Sequence, residues 1–291
     1  EPIAILNAPN QKSMVTLAGG VKLNKTDELH AEVAFSKNDV NLYSEQDSED
    51  NDGLAYKVSH ETEGRSVSFL PNYKLNSTLS YEYNSESFSF IDRLRYIEFD
   101  RDWSYNPEDF NQSFTENIFN AGFDLSKDAS NNLSYKLVRR KRGEAVDGFQ
   151  QYLNLSKRLG RFQLKSDAYL MNNDQQILKS EWNRFNLDFS YRSKWLIPGY
   201  KYRIDRNSVV NSTTSEVVRS AMNFEEHSFY LRNSDTLRTT YGIEYQLRED
   251  RLPINGELVD NNQASFGQYC HELSFPVRQA PAIAVLITTI R

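Results

Sequence analysis

The stretch Arg184-Phe185-Asn186-Leu187-Asp188-Phe189-Ser190-Tyr191-Arg192-Ser193-Lys194-Trp195 decides the fold. Phe185, Leu187, Phe189, Tyr191 and Trp195 share one parity, and Asn186, Asp188, Ser190, Arg192 and Lys194 share the other. A period of two sets the two groups on opposite faces of a β-strand, whereas a helix would scatter both around its axis. The flanking segments repeat the pattern. Phe162, Leu164, Ala168 and Leu170 oppose Arg161, Gln163, Lys165 and Asp167; Tyr200, Tyr202 and Ile204 oppose Lys201, Arg203 and Asp205. Turn-forming residues separate the segments at Leu159-Gly160, Asn172-Asn173-Asp174 and Ile197-Pro198-Gly199. The reading is an antiparallel meander.

The pattern extends outward in both directions. Strands are expected at Ser13 to Leu23 (with a bulge or bend at Gly19-Gly20), Leu29 to Phe35, Leu54 to Val58, Tyr73 to Tyr83, Leu94 to Phe99, Ile118 to Leu125 and Leu133 to Arg139. Beyond the central meander they recur at Phe224 to Leu231, Thr239 to Arg248 and Tyr269 to Phe275. Three long polar stretches, 38–52, 207–220 and 249–262, read as loops that project from the sheet. Asp100 to Trp103 reads as an ordered loop that continues irregularly to Ser113. From residue 172 onward the connections run short, short, long, short, long, which is the asymmetry of an outer-membrane barrel. This divides the chain into a lead-in with the first strand at 1–28, a meander at 29–277 and an atypical apolar tail at 278–291.

Composition sharpens the class. Of 291 residues, 38% are hydrophobic and 25% charged, yet there are 17 Tyr and 17 Phe; the mean hydropathy is −0.68. Many aromatics with few core aliphatics suit a barrel that is apolar outside and wet inside, and a polar secreted β-sandwich is the alternative. A net charge of −6 argues against a nucleic-acid partner. One cysteine, Cys270, excludes an internal disulfide framework. No apolar run reaches the length of a membrane helix. Glu1 in place of an initiator Met reads as a mature protein or a fragment.

The candidate sites carry little chemistry. In the acidic stretch 45–53, Asp50 and Asp52 are the candidate ligands of a loose calcium site, although a solvated acidic loop is the commoner outcome. The strand-face residues Lys165, Asp167, Asp188, Arg192, Arg203 and Asp205 would line a lumen of mixed charge, unsuited to strong ion selection. Arg139, Arg140, Lys141 and Arg142 are candidates for contact with lipid phosphate. Asp100, Asp102, Glu108 and Asp109 offer carboxylates with no spacing that singles out an acid and a base. There is no metal-ligand spacing, nucleophile elbow or phosphate loop, so no enzyme and no other cofactor is expected.

Several phrases carry a resemblance. They are Ala31-Glu32-Val33-Ala34-Phe35-Ser36-Lys37-Asn38-Asp39-Val40-Asn41, Asp50-Asn51-Asp52-Gly53-Leu54-Ala55, Glu98-Phe99-Asp100-Arg101-Asp102-Trp103 and Tyr202-Arg203-Ile204-Asp205-Arg206-Asn207. Together they resemble parts of large, poorly characterised predicted outer-membrane β-barrel proteins of the Bacteroidetes group, over most of residues 29 to 275. The resemblance implies a Gram-negative outer membrane, with lipid and other envelope proteins as partners, and transfers no site residue. The expected work is passive: a pore, a translocation scaffold or a surface anchor. A soluble glycan-binding sheet using Trp103, Trp182 and Trp195, or an envelope enzyme, are the alternatives.

Overall fold

A computed structural model describes residues 9–43, 51–92, 95–96, 98–106, 113–175, 178–219, 223–233, 239–273 and 284–290; side-chain surroundings are described up to 260, except at 219, 239 and 240. Strands make up 74% of the chain. They are β1 (Gln11–Lys22), β2 (Asp27–Asp39), β3 (Asp52–Ser66), β4 (Lys74–Asn84), β5 (Glu116–Asp128), β6 (Asn131–Arg142), β7 (Val146–Leu159) and β8 (Phe162–Asp174). After these come β9 (Leu178–Tyr191), β10 (Leu196–Asn211), β11 (Val217–Arg219), β12 (Asn223–Asn233), β13 (Thr239–Ile254), β14 (Glu257–Leu273) and β15 (Ala284–Ile290). Fourteen of them form one sheet in chain order, and short β11 pairs β10 off the path. Every pairing is antiparallel. The fold is therefore an all-β up-and-down meander, open rather than closed. Among the described residues, no helix is long and apolar enough to cross a membrane.

The two rims differ. Turns 23–26, 67–73, 129–130, 160–161 and 192–195 lie on one; 40–51, 85–115, 143–145, 175–177, 212–222 and 255–256 lie on the other. The longest connection, 85–115, belongs to the second rim, which also carries the tight connections 143–145 and 255–256.

Several local expectations are corrected. The register of β1 against β2 is continuous through Gly19↔Ala31 and Gly20↔His30, so no bulge occurs there. Gly20 instead leaves room for the His30 ring, 2.7 Å from where a Cβ would stand. Asn172 to Asp174 lies inside β8, and Pro198-Gly199 lies inside β10. Proline is tolerated there because β9 pairs β10 only from Gly199 onward, leaving Pro198 paired on one side, with Leu231. The stretch 249–262 is a two-residue hairpin rather than a loop. Asn255 and Gly256 adopt φ of 52° and 82°, the left-handed pair that matches the twist of two strands. Its Pro253 sits opposite Leu258 near the hairpin tip. Likewise β10 runs on to Asn211 and pairs β11, so most of 207–220 is strand or tight turn. The strand expected at Leu94 to Phe99 is not formed: Leu94 lies outside the described residues, 98–100 are turn, and a 3-10 turn follows at Arg101–Trp103. In the tail, Ala284–Ile290 forms β15 against β14.

Candidate functional site: a strap across the polar face

Register converts the alternation into two faces. Glu32, Lys57, Glu82, Ile118 and Arg140 fall in one cross-strand row; Tyr152, Tyr169, Arg184 and Asp205 fall in another on the same side. This is the polar face, and it is the covered one: Ser80, Ser156, Gln163 and Ser228 are buried, and Asp205 is 1% exposed. The opposite face is apolar and open, with Leu17 at 77%, Leu79 at 49%, Phe162 at 47% and Phe229 at 53% exposure. A water-soluble sheet hides its apolar side and wets its polar side; here the order is inverted.

The residues singled out by alternation fall as follows. Lys165, Asp167, Asp188, Arg203 and Asp205 share the polar face, with Lys165 directly opposite Asp188. Arg192 follows the end of β9, its backbone N–H donating to the Arg161 carbonyl at 2.7 Å. Asp205 accepts from Trp182 Nε1 at 2.8 Å and Arg184 Nε at 3.2 Å. Asp167 accepts from Asn186 Nδ2 at 2.6 Å. Arg203 lies over the Phe224 ring, 5.0 Å from its centroid. Asp188 accepts from Tyr230 Oη at 2.7 Å.

That last bond depends on a glycine. Tyr230 crosses the polar face where Gly199 has no side chain; a Cβ there would stand 2.0 Å from the ring's Cζ. Gly199→Val is expected to displace the ring and break the bond to Asp188, lowering stability by about 1–3 kcal/mol. Urea denaturation checks this, and an unchanged midpoint would contradict the packing described.

Alternation also divides the basic run. Arg139 and Lys141 lie on the apolar side at the long-loop rim, both paired with Asp147, and Arg139 stacks on Phe149 at 4.6 Å. Arg140 and Arg142 point to the polar face. Arg140, 1% exposed, bridges Glu116 (2.6 Å) and Asp100 (2.7 Å). Arg142 approaches Glu116 at 3.6 Å and lies 5.2 Å from the Tyr105 ring centroid. Of the proposed calcium ligands, Asp50 lies outside the described residues; Asp52 is exposed and opens β3 opposite Lys37. No cluster able to hold a metal ion occurs among the described residues. Trp103 is fully buried, Trp182 is tied to Asp205, and Trp195 is exposed at the short-turn rim. Glu108 and Asp109 lie outside the described residues.

What spacing did not reveal is the use of 85–106. Its described residues, 85–92, 95–96 and 98–106, fold over the polar face as a strap. At one end the backbone N–H of Ser89 donates to Ser36 Oγ on β2 (3.0 Å), and the Phe88 backbone crosses Gly53, where a Cβ would meet it at 2.3 Å. Further along, Arg95 pairs with Glu82 on β4, and Asp100 pairs with Arg140 on β6. At the far end Gln150 donates to the Asp102 carbonyl (3.0 Å), Asn173 to that of Trp103 (2.7 Å) and Gln175 to that of Ser104 (3.0 Å). The irregular backbone thereby finds the partners that a strand would have supplied. Trp103 and Tyr105 pack with Ile118, Val138, Ala145 and Val146 in a small core, and Phe99 and Phe114 flank it. The Arg140 guanidinium lies 4.4 Å from the Phe99 ring centroid. Tyr96 is more than half exposed, and partial desolvation with a hydrogen bond to Asp102 holds its hydroxyl above the usual tyrosine range, while burial raises Tyr105.

Beside the strap, β4 to β9 line an open cavity of about 760 Å³, to which the strap contributes Asp102. No protein-family model and no curated protein matches the chain.

Proposed function

We propose that this chain forms wall of an outer-membrane β-barrel in a Gram-negative envelope, with the apolar face against lipid and the polar face towards a water-filled lumen. Its role is passive, as a pore, translocation scaffold or surface anchor. The observation that carries this reading is the inverted polarity of the sheet. Exposed Leu17, Leu79, Phe162 and Phe229 face away from buried Asp205, Ser228 and Arg140. Apolar-out, polar-in alternation is what a bilayer selects, because lipid solvates the aliphatic side and the lumen solvates the other. The placement of the strap is in keeping with it: the longest connection, 85–115, rises from one rim and its described residues fold over the polar face. A bilayer leaves no strand edge unpaired, so β1 and β15 must be paired there, by each other or by further strands.

The strap gives the lumen an internal obstruction. Loops folded into a barrel narrow or plug it, so conduction would pass beside 85–106 and not through an empty bore. Arg139 and Lys141, on the lipid side at the rim, are the pair available to lipid phosphate; Arg140 and Arg142 serve the strap. Fractionation of cells producing the full-length gene product tests the reading. It should sediment with outer membranes and migrate differently on gels before and after boiling. Recovery in the soluble fraction with one mobility would contradict it.

A further inference from the structure

The cavity beside the strap has a lining that a water-filled wall does not explain. Polar-face positions of a barrel read as polar residues, yet on β7, β8 and β9 three aromatic residues break that rule side by side. Tyr152 and Tyr169 stand 4.8 Å apart by ring centroids, and Trp182 meets Tyr169 edge-on at 5.4 Å. Tyr152 remains open to the cavity. Around the rings the lining is dense in hydrogen-bonding groups, among them the exposed Asn154.

Charge narrows the ligand class. The cavity holds Asp102, Asp124 and Asp167 against Lys136 and Arg184. A cationic ligand seeking the rings would find cations already over them. Arg184 sits 4.5 Å from the Trp182 ring centroid, and Lys136 Nζ sits 5.8 Å from that of Tyr152. An anionic ligand would meet the three carboxylates. What fits both constraints is a neutral molecule with many hydroxyls and an apolar C–H face, which packs on an aromatic ring while amides and carboxylates take its hydroxyls. A cavity of about 760 Å³ accommodates several linked rings rather than one sugar, within the range of small-molecule sites. We propose that the cavity beside the strap binds a short neutral oligosaccharide that displaces the Lys136 ammonium from over Tyr152, with Tyr152 as the stacking platform and Asn154 as a hydroxyl partner.

This goes beyond the barrel reading and does not need the apolar face to meet lipid, so the two can fail separately. The test is calorimetric titration of the full-length protein in a sugar-free detergent. Neutral probes are maltotetraose, cellotetraose, xylotetraose, mannotetraose and chitotetraose; tetragalacturonate and a chitosan tetramer are the charged comparators. At least one neutral probe should bind, with each charged probe at least tenfold weaker. Tyr152→Ala and Asn154→Ala should each weaken that binding tenfold or more, and Tyr245→Ala on the opposite face should leave it unchanged. Absence of heat with every neutral probe, tighter binding of a charged one, or unchanged binding in whichever of Tyr152→Ala and Asn154→Ala retains the parent's far-ultraviolet circular dichroism would each overturn the proposal.

Discussion

Arg140→Ala is expected to lower stability by about 3–5 kcal/mol, the cost of leaving one partner of a buried ion pair unpaired. Arg140 is 1% exposed and joins Glu116, itself buried, to Asp100 of the strap. Removing the guanidinium leaves Glu116 facing Arg142 at 3.6 Å and Arg95 at 4.0 Å, which recover only part of the lost attraction and place the result at the lower end of that range. The strap should also loosen, because Asp100 loses its hold on β6 and the Phe99 ring loses the nearer of the two guanidinium groups over it, keeping only Arg95. Two readouts follow: a reduced urea midpoint, and new chymotryptic cleavage at Phe99 or Trp103, which packing protects in the intact protein. Arg140→Met with Glu116→Gln removes both charges and should recover part of the midpoint. A midpoint within error of the parent, with Trp103 still protected, would show that the ion pair does not hold the strap.

The second large effect separates the two faces at neighbouring positions. Leu79, at the middle of β4, is half exposed on the apolar face, and Thr78 is exposed on the polar face. In a bilayer Leu79→Arg should cost about 2–4 kcal/mol, the penalty for a cation at a lipid-facing midplane position. In water, an arginine replacing an exposed leucine is close to neutral. Thr78→Arg should be tolerated in either solvent. Folding yield into lipid vesicles, read by the boiling-dependent mobility shift, therefore should fall for Leu79→Arg and hold for Thr78→Arg. Equal yields would remove the lipid-facing assignment.

Much of this architecture was legible because a period of two is a one-dimensional signal. Phe185 to Tyr191 and Leu75 to Tyr83 each state their two faces without reference to any other strand, and register keeps those faces continuous across the sheet. Turn positions were harder. Pro198 and Pro253 look like breakers, yet each occupies a strand position that needs no ladder donor. Asn255-Gly256 is the better signal, since among the described residues only that pair supplies two left-handed residues in succession. The strap lay beyond periodicity because its order comes from tertiary contacts: Asn173 lies 70 residues from the Trp103 carbonyl it holds. Its sequence did carry a trace, in the aromatics Phe99, Trp103 and Tyr105 set among charges in a segment without a period. Nor could composition show that alternation would split Arg139 to Arg142 between two faces with separate partners.

The inverted polarity of the sheet is the central claim, and the solvent on each face tests it most directly. Single fluorescent labels placed at Leu79→Cys and Phe229→Cys on one face, and at Thr78→Cys and Asn154→Cys on the other, in a Cys270→Ser background, would be read in full-length protein reconstituted into vesicles. Quenching by nitroxide-bearing lipid at the first pair and by aqueous iodide at the second is the expected result. Labels at Leu79→Cys and Phe229→Cys that iodide quenches, or that neither quencher reaches, would mean that water or protein covers the apolar face, and the barrel account would fail.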